Sequence, residues 1–146
     1  TAQLQSERAD RAEAEGWTEE HLFWRAPSLT AAQYGRSAHE AERLGARHGV
    51  EVAHFWQPIL PNLGRDGPMV PTVAHHLEFD LDSIPEVVAL YEWARVMSGV
   101  DSIDLTGSLD GSEQPTFFDY CHTNEVGARL QAEAMWPHVD RLLPEP

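Results

Sequence analysis

Only two segments of this 146-residue chain have the composition of β-strands, and this scarcity constrains its fold more than any other feature. Residues 50–56 and 100–105 are rich in β-branched or aromatic side chains, and each follows a stretch with helical periodicity. Helices and strands that alternate in this order predict an α/β fold with a mostly parallel sheet. Since sheets usually contain about four to six strands, we expect residues 1–146 to form one partial domain.

The first part of the chain predicts two helices of different character. Residues 2–15 form a polar stretch with little to bury, which predicts a marginal helix, and residues 17–25 predict an aromatic-rich connector. Ser28 is a good N-cap for an amphipathic helix over residues 29–48, and Gly49 is expected to end that helix.

Two further helices are predicted downstream, separated from the first strand by a long loop over residues 58–81. That loop contains four prolines and two glycines, and loops of this length are usually functional or mobile. Ser83 and Glu86 have the spacing of a capping box for a helix that runs to Met97. A last helix is predicted over residues 124–135, before a proline.

Composition excludes several functions. The formal net charge is −14, so we expect no nucleic-acid partner, and no stretch is apolar for long enough to span a membrane. A single cysteine, Cys121, excludes an internal disulfide and a cysteine-based zinc cage, and the absence of lysine excludes Schiff-base chemistry. No signal peptide is predicted after Thr1, and we expect a processed product or a piece of a longer protein.

The residues most suggestive of chemistry lie near the C-terminus, in Asp119-Tyr120-Cys121-His122. A carboxylate on one imidazole nitrogen fixes the tautomer and leaves the other nitrogen free to accept a proton from a nucleophile. An aspartate three residues before a histidine can make that contact in a loop or helical turn. The alternative is that Asp119 caps the last helix and His122 is an ordinary polar residue.

This Asp-x-x-His segment, with Gly127 five residues after the histidine and then Ala132-Glu133-Ala134, resembles the last sequence block of the SGNH/GDSL hydrolase family. The strand end Phe55-Trp56-Gln57-Pro58 resembles the strand that enters the active-site loop in some bacterial members. The resemblance implies a flavodoxin-like three-layer α/β/α fold, of which this chain is the C-terminal portion. It also implies serine ester hydrolysis or acyl transfer, with His122 as general base and Asp119 as its orienting carboxylate.

The chain also departs from the family pattern. The Gly-Asp-Ser block with the nucleophilic serine is absent, and so is the Gly-x-Asn-Asp block with the oxyanion-hole asparagine. The only asparagines, Asn62 and Asn124, lack that context. Since one oxyanion donor contributes about 3–4 kcal/mol of transition-state stabilisation, we expect negligible hydrolysis from this chain alone.

Other candidate residues have weaker support. Ser108, in a Gly-Ser-Leu turn, resembles the family's nucleophile block only superficially and follows the wrong strand. Cys121 is a conceivable thiol nucleophile, but sequence neighbours tend to point apart. No cofactor and no metal are predicted, although five residues are weaker candidates for metal ligands: His54, His75, His76, Glu78 and Asp80.

Two functions of different class follow from the sequence. The first is the C-terminal part of an SGNH-type esterase that supplies the Asp119–His122 pair, with an ester substrate such as an acylated carbohydrate. The second is a non-catalytic α/β interaction module or degenerate relative. In both cases the expected macromolecular partner is the N-terminal part of the same protein, or a partner chain, that completes the sheet.

Overall fold

A computed structural model describes residues 19–64, 66–68, 70–76 and 80–143. The polar helix predicted over residues 2–15 lies outside the described residues. The predicted α/β class and the parallel strand pairing are confirmed, in a chain that is mostly helical.

The longest helix, α1, spans Glu19–His48 and contains Pro27 in its interior. The predicted connector over residues 17–25 is therefore wrong from residue 19 onward, and so is the predicted helix start at Ser28. A proline removes only one i to i−4 hydrogen bond, and here the helix continues through it. Gly49 follows α1 with a φ of 66°, so the predicted C-terminal stop is confirmed.

Two short parallel strands form the sheet, β1 at His54–Trp56 and β2 at Ser102–Asp104. Phe55 pairs with Ile103 at the centre of the register. Both strands are shorter than predicted. At residue 50 the reason is visible, because the Val50 N–H donates to the Gly45 carbonyl at the end of α1 (2.9 Å) instead of joining the sheet.

The segment predicted as a loop over residues 58–81 contains helical structure. A 3₁₀ turn spans Leu60–Leu63, a short helix, α2, spans Val70–His76, and a second 3₁₀ turn at Leu81–Ser83 follows. The Leu60 N–H donates to the Tyr120 carbonyl (2.9 Å), so this segment is fixed directly to the segment that carries the candidate catalytic residues.

Helix α3 spans Ile84–Met97 and completes the crossover between the parallel strands. The predicted Ser83–Glu86 capping box is not formed, because the Ser83 hydroxyl donates to the Asp80 carbonyl instead (2.6 Å). Helix α4 spans Glu125–Val139 and ends four residues later than predicted. A 3₁₀ turn at Asp140–Leu142 follows it.

Eight of the buried side chains in the described ranges form two clusters. One joins the loop segments to α3 and α4, and the other lies between α1, α3 and the end of β1. Their buried members are Leu60, Val70, Ile84, Leu109 and Phe117 in the first cluster, and Ala31, Trp56 and Ala94 in the second. No helix in the described ranges has the length and apolar character needed to cross a membrane.

Candidate active site

A short loop between two closely paired backbone positions carries the candidate catalytic residues. Phe117 and Thr123 form an isolated antiparallel bridge, and the Phe118 N–H donates to the His122 carbonyl (2.8 Å). The Phe117 side chain is only 2% exposed and anchors the loop in the first core cluster. Residues 119–122 are therefore held in a tight reversal of the chain that begins and ends on fixed backbone.

Asp119 is fixed by the backbone that follows it. One carboxylate oxygen, Oδ1, accepts the N–H groups of Cys121 (3.0 Å) and His122 (2.8 Å). These two backbone donors, together with the His122 side chain, lower the pKa of Asp119 to about 2. The carboxylate is therefore ionised at neutral pH and keeps its orientation.

The other carboxylate oxygen of Asp119, Oδ2, lies 2.8 Å from Nδ1 of His122, and Oδ1 lies 3.1 Å from the same nitrogen. The contact predicted from the sequence is therefore present. An ionised carboxylate can only accept, so Nδ1 carries the hydrogen of the neutral ring and Nε2 presents a lone pair. Among the described residues Nε2 has no hydrogen-bond partner, and the side chain is 76% exposed.

The last helix is capped by another residue. The side chain of Asn124 accepts the Gly127 N–H (3.0 Å), and its amide donates to the Pro115 carbonyl (2.8 Å). The alternative role considered for Asp119, that of N-cap of this helix, is therefore wrong.

Cys121 lies closer to the histidine than expected for a sequence neighbour. Its Sγ is 3.7 Å from Nδ1 of His122, so the expectation that the two side chains point apart is wrong. Burial and the Asp119 charge raise the pKa of the thiol. Moreover, the nitrogen that it faces already carries the hydrogen donated to Asp119, so that nitrogen cannot act as the base for the thiol.

An apolar cavity of about 470 Å³ lies between α1 and α3, and Tyr120 forms part of its wall. Tyr91 also lines it, and the Tyr91 hydroxyl donates to the Gln57 carbonyl (2.9 Å). His122 does not line this cavity. Its side chain is instead 76% exposed to solvent.

The remaining candidates with described side chains are not brought to this site. Ser108 lies in a turn, and its hydroxyl oxygen is buried with no hydrogen-bond partner among the described residues. His54 approaches Glu42 on α1 instead of other candidate ligands (Nε2 to Oε1, 3.2 Å). Asp80 accepts the N–H of Asp82 (2.9 Å). The candidate ligands outside the described side chains are His76 and Glu78.

No protein-family model, curated protein or solved structure matches the chain.

Proposed function

We propose that this chain supplies the Asp–His pair of an SGNH/GDSL-type serine ester hydrolase. The observation that carries the proposal is the fixed contact between the Asp119 carboxylate and Nδ1 of His122 (2.8 Å), with Nε2 open to solvent. This is the arrangement that a general base requires, because the carboxylate sets the tautomer and stabilises the imidazolium.

In the proposed reaction, Nε2 of His122 accepts the proton of a serine hydroxyl while the serine oxygen bonds to the ester carbonyl carbon. The imidazolium then gives that proton to the departing alkoxide as the carbon–oxygen ester bond breaks, which leaves an acyl-enzyme. Water repeats the sequence: His122 takes its proton, the acid is released and the serine recovers its hydrogen. Asp119 stays ionised throughout and is the positioning residue of the pair.

The nucleophile and the oxyanion donors come, in this proposal, from a Gly-Asp-Ser and a Gly-x-Asn-Asp segment outside these 146 residues. That segment would also add strands beside β1 and β2, and so complete a flavodoxin-like three-layer sheet. Val50 and Val52, which precede β1, are 59% and 38% exposed and would contribute apolar surface to that addition. The substrate class is an ester, with acylated carbohydrates as one candidate.

The experiment uses the protein assembled with the segment that contains the nucleophile and measures hydrolysis of p-nitrophenyl acetate and labelling by a fluorophosphonate. His122→Ala should lower both by a factor of about 10³ or more, and Asp119→Asn should lower hydrolysis by a smaller factor. His39→Ala is the matched control, because that side chain is 81% exposed on α1. Full hydrolysis by the His122 variant would overturn the proposal.

The alternative function is a non-catalytic module that completes a sheet with a partner chain. It is favoured by one observation: within the described residues β1 and β2 pair only with each other. Measured activity distinguishes the two proposed functions. An assembled protein that neither hydrolyses the ester nor reacts with the fluorophosphonate would favour the non-catalytic module.

A further inference from the structure

Three different metal-ligand atoms converge in the 119–122 loop. A carboxylate oxygen of Asp119, Sγ of Cys121 and a ring nitrogen of His122 all lie within 4.8 Å of one another. The contact between Sγ and Nδ1 is 3.7 Å, and that between Oδ2 and Nδ1 is 2.8 Å. The hydrolase mechanism uses the aspartate and the histidine but gives the thiol no role.

The sulfur–nitrogen distance suits a tetrahedral ion. With Zn–S near 2.3 Å and Zn–N near 2.0–2.1 Å, the sulfur–nitrogen edge of a tetrahedral site is about 3.6 Å. The observed 3.7 Å agrees with that edge. The oxygen–nitrogen edge is about 3.4 Å, so Oδ2 and Nδ1 need to separate by about 0.6 Å when an ion replaces the hydrogen between them.

The loop can allow that separation without losing its shape. Asp119 is held through Oδ1 by two backbone N–H groups, which leaves Oδ2 available to a ligand. The thiol is half-buried, whereas the histidine side chain is 76% exposed, so an ion can enter from solvent and keep a water as its fourth ligand.

We propose that Asp119, Cys121 and His122 bind one divalent ion of intermediate softness, such as Zn²⁺. A set of one sulfur, one nitrogen and one oxygen favours such an ion over Mg²⁺ or Ca²⁺, which prefer oxygen ligands. On binding, the thiol releases its proton to solvent, and the ring hydrogen moves from Nδ1 to Nε2.

A consequence for catalysis follows, and it rests on the proposed function. A ring that holds an ion on Nδ1 carries its hydrogen on Nε2, so it cannot accept the serine proton. Metal binding and general-base catalysis are therefore mutually exclusive uses of His122. Zn²⁺ should inhibit the assembled hydrolase, and a chelator should restore its activity.

The binding test uses the tag-free 146-residue chain and Co²⁺ as the probe. One equivalent should produce the near-ultraviolet absorption of a thiolate bound to cobalt, and Zn²⁺ should abolish it by competition. Because Cys121 is the only cysteine, this absorption identifies its sulfur as a ligand. The two other ligands are tested by His122→Gln and Asp119→Asn, which should each weaken Co²⁺ binding by more than about tenfold.

His39→Gln is the matched control, since it removes an exposed imidazole from α1 and should leave Co²⁺ binding unchanged. Circular dichroism establishes that each variant is folded. Absence of the thiolate absorption from the folded wild-type chain would overturn the site. Equal Co²⁺ affinities in the wild type and the His122 and Asp119 variants would also overturn it.

The spectroscopic test needs no esterase activity, so its failure is distinct from failure of the hydrolase proposal. In the assembled enzyme, Cys121→Ser should raise the Zn²⁺ concentration needed for half-inhibition by more than about tenfold. If all three residues bind cobalt but Zn²⁺ leaves hydrolysis intact, the metal site stands and the assigned role of His122 is overturned.

Discussion

The α-carbon of Gly127 lies against the carbonyl oxygen of Thr116, so closely that a Cβ atom on Gly127 would be 2.3 Å from that oxygen. The same Cβ would lie 2.9 Å from the Cβ of Thr123. The first turn of α4 therefore packs against both ends of the loop that carries residues 119–122. Only a residue without a side chain permits this approach, which fixes the loop relative to the helix.

Replacing Gly127 with alanine should therefore destabilise the protein by about 1–3 kcal/mol, even though alanine is the better helix former. The added methyl group meets the Thr116 backbone oxygen and the Thr123 side chain, so the loop or the helix has to shift. Urea denaturation measures the free energy of unfolding. Ala128→Ser is the control on the same turn, at an exposed position, and should change stability by no more than about 0.5 kcal/mol. An unchanged unfolding free energy for the Gly127 variant would show that the close approach is not rigid.

The errors in the predicted helix boundaries both involve proline. The sequence predicts a helix start after Pro27 and a helix end before Pro137, yet both prolines lie inside helices. A proline removes one hydrogen-bond donor from the helix, but the neighbouring residues can keep theirs and continue it. Whether they do so depends on packing, which local sequence patterns do not contain.

The strand positions were predictable because β-branched and aromatic residues are concentrated there, but their lengths were not. Val50 has strong β-propensity, yet its N–H is used to end α1, and this depends on how the chain leaves the helix. The same limit applies to the predicted Ser83 cap, since the Ser83 hydroxyl donates to the Asp80 carbonyl instead of capping α3.

Within the candidate site, the contact between Asp119 and His122 could be predicted because it joins residues only three positions apart. The position of the Cys121 thiol could not, because it depends on the way the loop folds around Oδ1 of Asp119. The cavity beside Tyr120 could not be predicted from local sequence patterns either, since it forms where α1 and α3 meet.

Asp119 should make the free energy of unfolding depend on pH under acidic conditions. Its pKa in the folded chain is lowered to about 2, chiefly by the N–H groups of Cys121 and His122, against about 3.9 in unfolded chains. The stabilisation is complete above about pH 4 and is lost as the pH falls toward 2. The difference in unfolding free energy between wild type and Asp119→Asn should therefore shrink across that window.

An NMR titration of the Asp119 side-chain carbon checks the cause of this shift. Hydrogen bonds are screened by salt much less than long-range charge interactions, so the midpoint should stay low in concentrated sodium chloride. A midpoint near 4, or a stability difference that is constant between pH 5 and pH 2, would contradict the prediction.

Tyr91 should act at the opposite end of the pH range. Burial is the main reason that its pKa is raised to about 12, against about 10 in unfolded chains. The folded chain therefore retains a proton that the unfolded chain loses, so stability should fall as the pH rises from about 10 to about 12. Tyr91→Phe should flatten this decline.

At neutral pH the same Tyr91→Phe substitution should cost about 1 kcal/mol, because the hydrogen bond to the Gln57 carbonyl is lost. Tyr34→Phe is the comparison, since its hydroxyl has no hydrogen-bond partner among the described residues, and it should cost less. Urea denaturation at pH 7 and at several alkaline pH values measures both effects. Equal costs for the two variants would contradict the role assigned to the Tyr91 hydroxyl.

Thr116 is fully buried, at 0% exposure, yet within the described residues its hydroxyl oxygen has no hydrogen-bond partner. Its backbone carbonyl, in contrast, accepts the Asn124 N–H (2.9 Å). A buried hydroxyl without a partner costs about 1–3 kcal/mol, so Thr116→Val, which keeps the shape and removes the hydroxyl, should stabilise the protein by about 1 kcal/mol. Thr116→Ser keeps the hydroxyl but removes a buried methyl group, and should instead destabilise it by about 1 kcal/mol. Urea denaturation measures the free energy of unfolding of the wild type and both variants. A loss of stability in the valine variant would mean that the hydroxyl has a partner in solution, such as a bound water.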